Sequence, residues 1–395
     1  MMNYPGVINN DKNVIDKLEL ARERRKPVDG HAPGLTGEFL KKYVNAGIST
    51  DHECSSIEEA LEKVSLGMKI LIREGSAARN LAALKDLYNR NPEMLMLCSD
   101  DLHPEMLRKR HINKIIAELI SEGYNIFDVV RNATLNPVIH YKLKAGLLRP
   151  GDDADFIIVD SLNEMNVSET WINGDKVYGD GKCHFNYKPG KEINYFNCSP
   201  ISKNDLKVKN QGGNFRVIDT LKEEILTKQL VLPTNNREFL EADTASDILK
   251  IVVKDRYNDS PLEIGFIRGF KLRKGAFASS VAHDSHNIIS VGATDNDIVD
   301  AINEIVRIKG GLSVSSDGLS NSIKLNIAGI MTTEKCNTVA NEYEKLNEMV
   351  KELGCEMKAP FMTLSFMALL VIPDLKIGDK GLFDVKKFEL VSLFV

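Results

Sequence analysis

The chain has 395 residues, with 51 Lys and Arg against 56 Asp and Glu and a formal net charge of -5. That length exceeds one ordinary compact core and suits two or three domains of roughly 100–200 residues each. The slightly acidic balance offers no field to attract nucleic acid or anionic lipid, so a nucleic-acid or membrane partner is excluded and a small molecule is expected.

The basic run Arg22 to Lys26 follows the helically spaced Val14, Leu18 and Ala21. Cations there complement a helix C-terminus rather than mark a nucleic-acid surface. No signal peptide precedes the first motif, and the longest apolar stretch, Phe361 to Pro373, is too short for a bilayer, so a cytoplasmic location is expected. Six scattered cysteines without a CxxC pair read as free thiols, mostly buried.

From Lys26 to about Leu143 short apolar runs alternate with helical patterns, the signature of βα units on a parallel sheet. The strands are KPVDGHA, GISTDHE, MKILIRE and MLMLCSD; between them TGEFLKKYVNAG, SSIEEALEKVSLG and SAARNLAALKDLYNRNP open with Ser or Thr, as helices do. Two further helical stretches follow, His103 to Glu122 and Ile126 to Leu135. A barrel or a doubly wound sheet fits, but four strands alone would leave two unpaired edges and a half-open core. From Leu148 to about Tyr187 the strands DFIIVD, MNVSETWIN and KVYGDG form a small β element. From Lys203 onward comes a third region, including ILKIVVKD, the helical TDNDIVDAINEIVRI and a turn at Gly310-Gly311.

His31 and His52 fall at the C-terminal ends of the first two strands, the next ends in Arg73-Glu74, and the fourth in Asp100-Asp101 with His103 just beyond. On a (β/α)8 barrel that end carries the chemistry. Two imidazoles and a carboxylate from separate strand ends suit a divalent Zn, Mn or Fe ion, which acidifies bound water into a nucleophile. Any one of them has a plainer reading: a strand-end His is often a hydrogen-bonded structural residue, and Asp101 before His-Pro is often a helix N-cap. Four ionisable strand ends in succession favour a site.

These runs also carry a resemblance. DGHAPGLTG, GISTDHECSSIEEA, IREGSAARNL and LCSDDLHP resemble the second half of the barrel of the adenine deaminases, a family of the amidohydrolase superfamily. RNATLNP followed by GLLRPGDDADFIIVD is similar to the passage where amidohydrolase barrels return to a small β-sandwich. GFKLRKGAFASSVAHDSHNIISVGATDNDI and PFMTLSFMALLVIPDLKIGDKGLFDV resemble the C-terminal domain of that family. The fold implied is α/β: the C-terminal half of a (β/α)8 barrel over 1–147, small β-sandwich return strands over 148–200, and an α+β C-terminal domain over 201–395.

The resemblance implies hydrolysis of adenine to hypoxanthine and ammonia in purine salvage, with a divalent metal, manganese first, then iron or zinc, and a homodimeric enzyme. It makes His31 and His52 the metal ligands of strands five and six. Asp100 becomes the strand-eight carboxylate, both ligand and acceptor of the water proton. Glu53, beside His52, is the candidate shuttle that delivers protons to the purine ring and the leaving ammonia. Arg73 and Glu74 either contact substrate or pair with each other; Asp101 and His103 are further candidate substrate contacts. His283, Asp284 and His286 either reach the site or form a polar turn that seals a domain contact.

The sequence departs from the superfamily in having no HxH pair and no bridging ligand of a fourth strand. The resemblance therefore implies that half a barrel and several ligands are missing, and that this polypeptide alone is inactive or poorly soluble. The alternatives to adenine deaminase are another amidohydrolase acting on a cyclic amidine or amide, and an inactive fragment or a subunit needing a separate N-terminal piece.

Overall fold

The computed structural model describes residues 1–395 except 77, 78, 222–225 and 235. The chain divides into two compact units, Met1–Lys188 and Pro189–Val395.

In the first unit Thr50–Asp51, Lys69–Arg73 and Leu95–Cys98 form a parallel sheet in that order, with Asp51 beside Ile70 and Arg73 beside Cys98. KPVDGHA, expected as a full strand, contributes only the parallel bridge of Val28 with Ile48. Its Pro27 lacks an N–H to donate and Gly30 lies close against the next strand, which limit ladder formation to one residue pair. Ile70, Ile72 and Leu95 are fully buried; side chains of this size contribute about 1.5–3 kcal/mol each when removed from water. Covering the sheet, Ile57–Ser65 starts where the Ser56 hydroxyl accepts from Glu59 N, and Ile112–Ser121 buries Ile115, Ile116 and Leu119.

Two expected helices are shorter than their patterns. After strand Lys69–Arg73 the α-helix spans only Leu81–Leu84 and tightens into a 3-10 turn over Lys85–Asn89. Ala77 and Ala78, in the expected start, lie outside the described residues. The stretch His103 to Glu122 breaks into Pro104–Leu107 and Ile112–Ser121, because His111 is extended and begins a new helix. His103, rather than Asp101, takes the N-cap position before Pro104.

Residues 156–183 form a four-stranded antiparallel sheet, Phe156–Val159, Val167–Ile172, Asp175–Gly179 and Lys182–Cys183. In the second unit an eight-stranded sheet runs in the order Thr227–Pro233, Asn214–Thr220, Glu263–Arg268, Leu249–Lys254, Ile288–Gly292, Ala276–Ser279, Gly311–Ser316, Leu319–Lys324. Leu249–Lys254 is buried along its whole length, between two antiparallel neighbours. Helix Asp295–Ile308, capped by the Thr294 hydroxyl on Asp297 N, packs Ile298, Ala301, Ile302 and Ile305 into this unit's core with Val252, Ala276 and Ile288. The Phe361 to Pro373 stretch holds the buried helix Pro360–Phe366. Among the described residues no helix is long and apolar enough to cross a membrane. All six cysteines are free, but only Cys54 and Cys355 are buried, Cys183 and Cys336 being exposed.

Candidate metal centre

The parallel register puts His52 and Glu53, Glu74, and Asp100 just past the C-terminal ends of successive strands. The backbone before His31 is pressed against the neighbouring strand. A Cβ on Gly30 would lie only 2.1 Å from Thr50 O, so glycine is required there. Gly30 N donates to Thr50 Oγ1 and His31 N to Tyr43 Oη, which fixes where the imidazole leaves the chain.

His31, His52 and Glu53 converge. His31 Nδ1 lies 3.3 Å from His52 Nε2 and 3.3 Å from Glu53 Oε1, and His52 Nε2 lies 3.2 Å from Glu53 Oε1. Burial lowers the tendency of His31 to protonate, against the pull of Glu53. Burial acts the same way on His52, but there the hydrogen bond and charge of Glu53 prevail and favour the imidazolium. Burial opposes ionisation of Glu53 as well. The His52 hydrogen bond and the charge of Arg73 overcome it and hold the carboxyl at about 2, so Glu53 is a carboxylate at neutral pH.

Arg73 pairs with two carboxylates at once: Nη1 is 2.5 Å from Glu53 Oε1 and 2.5 Å from Asp100 Oδ2, and Nη2 is 3.1 Å from Glu53 Oε2. Asp100, at φ 52, is brought to Arg73 rather than into the three-residue cluster. Glu74 points elsewhere, accepting from Leu81 N and lying 3.7 Å from Arg110, so the Arg73–Glu74 ion pair weighed from the sequence gives way to two separate pairings. Neighbours along a strand face opposite sides, which is why the two part. Burial raises the Glu74 carboxyl above its usual range. Asp101 O accepts from Ser76 N, while His103 N donates to Ser76 Oγ and His103 Nδ1 lies 3.6 Å from Glu105.

His283, Asp284 and His286 lie in the second unit. The His283 ring stacks on Phe366 at 5.0 Å and sits 5.8 Å from His286, while His286 O accepts from Arg256 Nε. Among the described residues these three do not bring ligand atoms together as His31, His52 and Glu53 do.

The donors of the first cluster fit a first-row divalent cation. Ligand atoms roughly 2.0–2.2 Å from one ion stand roughly 3.0–3.4 Å from each other, and the triangle measures 3.2 to 3.3 Å. His31 Nε2, the ring nitrogen on the side away from this triangle, is buried and finds no hydrogen-bond partner among the described residues. A second group, Asp51, Cys54 and Glu59, also gathers its ligand atoms within 4.8 Å. There the Lys63 ammonium already stands as the cation, 2.5 Å from Asp51 and 2.6 Å from Glu59. The strand-end histidines are visible in the sequence; Lys63, Asp51 and Asn80 are not. Asn80 Oδ1 accepts from Arg73 N while its Nδ2 donates to His52 O and Cys54 O, tying the site's edges together. The spacing of Glu59 and Lys63, four apart on a helix, is the one signal that could have pointed to that network.

The model of the adenine deaminase C-terminal domain matches residues 224–389, and that of the amidohydrolase family matches residues 1–177. An adenine deaminase of Methanosarcina barkeri is 51% identical over 404 residues, covering 100% of this chain and 73% of its own length. An adenine deaminase of Salinibacter ruber is 47% identical over 398 residues, covering 100% and 73%. Among solved structures, a β-aspartyl dipeptidase from Fervidobacterium islandicum AW-1 overlaps 46% of this chain and 55% of its own at 16% identity and a TM-score of 0.37, too loose a likeness to bear on the fold. With half its residues shared across its whole length, the chain belongs to the adenine deaminase family.

Proposed function

We propose that the chain serves the hydrolytic deamination of adenine to hypoxanthine and ammonia. The observation that carries this reading is the triangle of His31, His52 and Glu53 at the strand ends, in a chain about half identical to proteins named adenine deaminase. In this reading residues 1–147 are the second half of a (β/α)8 barrel, 148–200 the return strands of a small β-sandwich, and 201–395 the C-terminal domain.

His31 and His52 hold the divalent ion, with a carboxylate completing the set. Imidazole and carboxylate suit manganese, iron and zinc alike, and the family resemblance favours manganese. When bound, the ion acidifies water at neutral pH. In the net reaction water oxygen adds to C6, the exocyclic C–N bond breaks, and the two water protons end on ring nitrogen and ammonia. Asp100 is the acceptor of the first proton: Arg73 Nη1 lies 2.5 Å from its Oδ2 and fixes it in place. Glu53, ionised and beside both imidazoles, takes up a proton only in passing and hands it to the purine ring and the departing amine. Arg73, Asp101 and His103 border this end of the sheet and supply contacts to the purine edge.

The acidic balance and the small-molecule substrate fit a cytoplasmic enzyme. A homodimer goes with the resemblance, and light scattering reads it. Ammonia release from adenine, guanine, adenosine and cytosine, measured beside metal content, tests the reading. Release from adenine alone in a manganese-bearing protein supports it, whereas release from cytosine in place of adenine would overturn it.

A further inference from the structure

We infer that Lys63 is the positioning residue of this site, a buried cation that holds the two histidine-bearing segments at one spacing. The inference rests on the reading that His31 and His52 form the functional site. Lys63 lies on helix Ile57–Ser65, and its side chain is 0% exposed. Its ammonium donates to Ala32 O at 2.8 Å, to Asp51 Oδ2 at 2.5 Å and to Glu59 Oε1 at 2.6 Å. An ammonium has three donors, and all three are used.

The acceptors are what give the contact its meaning. Ala32 follows His31 in the chain, and Asp51 precedes His52. Asp51 Oδ1 also accepts from Ala32 N, so the two segments are cross-linked through both Lys63 and Asp51. Glu59 closes the network by accepting from Gly34 N beyond the first histidine and from Ser55 N beyond the second. A displacement of either segment relative to the other would break at least one of these bonds in a dry interior, where an unmade bond to a charged group is costly.

Stability alone does not call for a lysine here. A well-packed apolar side chain in place of a buried ion pair is often neutral or stabilising. What an apolar replacement lacks is direction: it leaves the Ala32 carbonyl and the Asp51 carboxylate free to settle elsewhere. Outer-shell groups of this kind orient metal ligands, and their loss typically weakens metal binding by roughly 10–100-fold.

The test compares Lys63→Met, Glu59→Gln and, as a control outside the network, Leu119→Ala, whose side chain is buried in the same unit. Far-UV circular dichroism establishes folding. Two measurements follow on the whole chain: ring-nitrogen resonances of 15N-labelled histidines without metal, and Mn2+ affinity by calorimetry. The expected result for Lys63→Met is moved His31 and His52 resonances, unmoved His184 resonances and roughly 10–100-fold weaker Mn2+ binding. Glu59→Gln should show the same pattern to a smaller degree, and it decides the matter if Lys63→Met does not fold. Leu119→Ala should leave both readouts at wild type. A folded Lys63→Met, or failing that a folded Glu59→Gln, with wild-type resonances and affinity overturns the inference, as does an equal effect from Leu119→Ala. Wild-type chain that takes up no Mn2+ while Lys63→Met still moves the two histidine resonances would reject the metal reading and leave the positioning role standing.

Discussion

Arg73 holds Asp100 with the same nitrogen that holds Glu53: Nη1 is 2.5 Å from each carboxylate. Two carboxylates from different strand ends are thereby held at the site by one guanidinium, and neither can be moved without disturbing the other.

Removing that guanidinium leaves a buried carboxylate with only the two imidazoles beside it. Glu53 is 4% exposed and Arg73 8%, so Arg73→Met should destabilise the first unit by about 3–5 kcal/mol. Arg73→Lys keeps the charge but not the fork that reaches both oxygens of Glu53, and should cost less. Urea unfolding of the two variants measures the difference.

Glu53 also sets an acid limit on the metal-free protein. Its carboxyl is at about 2 in the folded chain against an ordinary 4.5. A depressed folded value means the stabilisation is fully present above the unfolded value and is lost as pH falls from about 4.5 towards about 2. With chelator present, Tm followed from pH 6 down to pH 2 should fall more steeply for wild type than for Glu53→Gln.

If Asp100 accepts the water proton, Asp100→Asn should lower kcat for adenine by roughly 10²–10⁴-fold and change KM little, since the interaction lost belongs to the reacting state. Steady-state kinetics in the manganese-loaded protein gives both numbers. A KM effect with kcat unchanged would make Asp100 a substrate contact instead.

The contact of Gly30 with the next strand makes a purely steric prediction. Gly30→Ala would place its Cβ 2.1 Å from Thr50 O, and an overpacked backbone contact should cost about 1–3 kcal/mol. Because the residue stands beside His31, Mn2+ affinity should fall with stability, and calorimetry of the folded variant reads it.

How much of this was visible in the sequence depends on what made each feature. Three of the four expected parallel strands and the helix Asp295–Ile308 were legible because periodic apolar residues and a Thr294 cap decide them locally. His31 and His52 were legible as strand-end residues. The meeting of Glu53 with both of them was not, since neighbours along a strand ordinarily face apart and only the turn after Asp51 brings Glu53 round. Lys63 was not legible for a physical reason: on an amphipathic helix a lysine is ordinarily solvent-facing, and its complete burial depends on Asp51 and Ala32, distant in sequence. The break at His111 and the short helix Leu81–Leu84 likewise come from tertiary packing that overrides helical pattern.

The most direct test is adenine turnover by the protein as it is assembled in its own cells, loaded with manganese, beside His31→Ala and His52→Ala. Equal amounts of hypoxanthine and ammonia are expected from adenine, with turnover and metal lost together in both variants. Metal bound at wild-type level in His31→Ala and His52→Ala, or no hypoxanthine from the metal-loaded protein, would contradict that expectation.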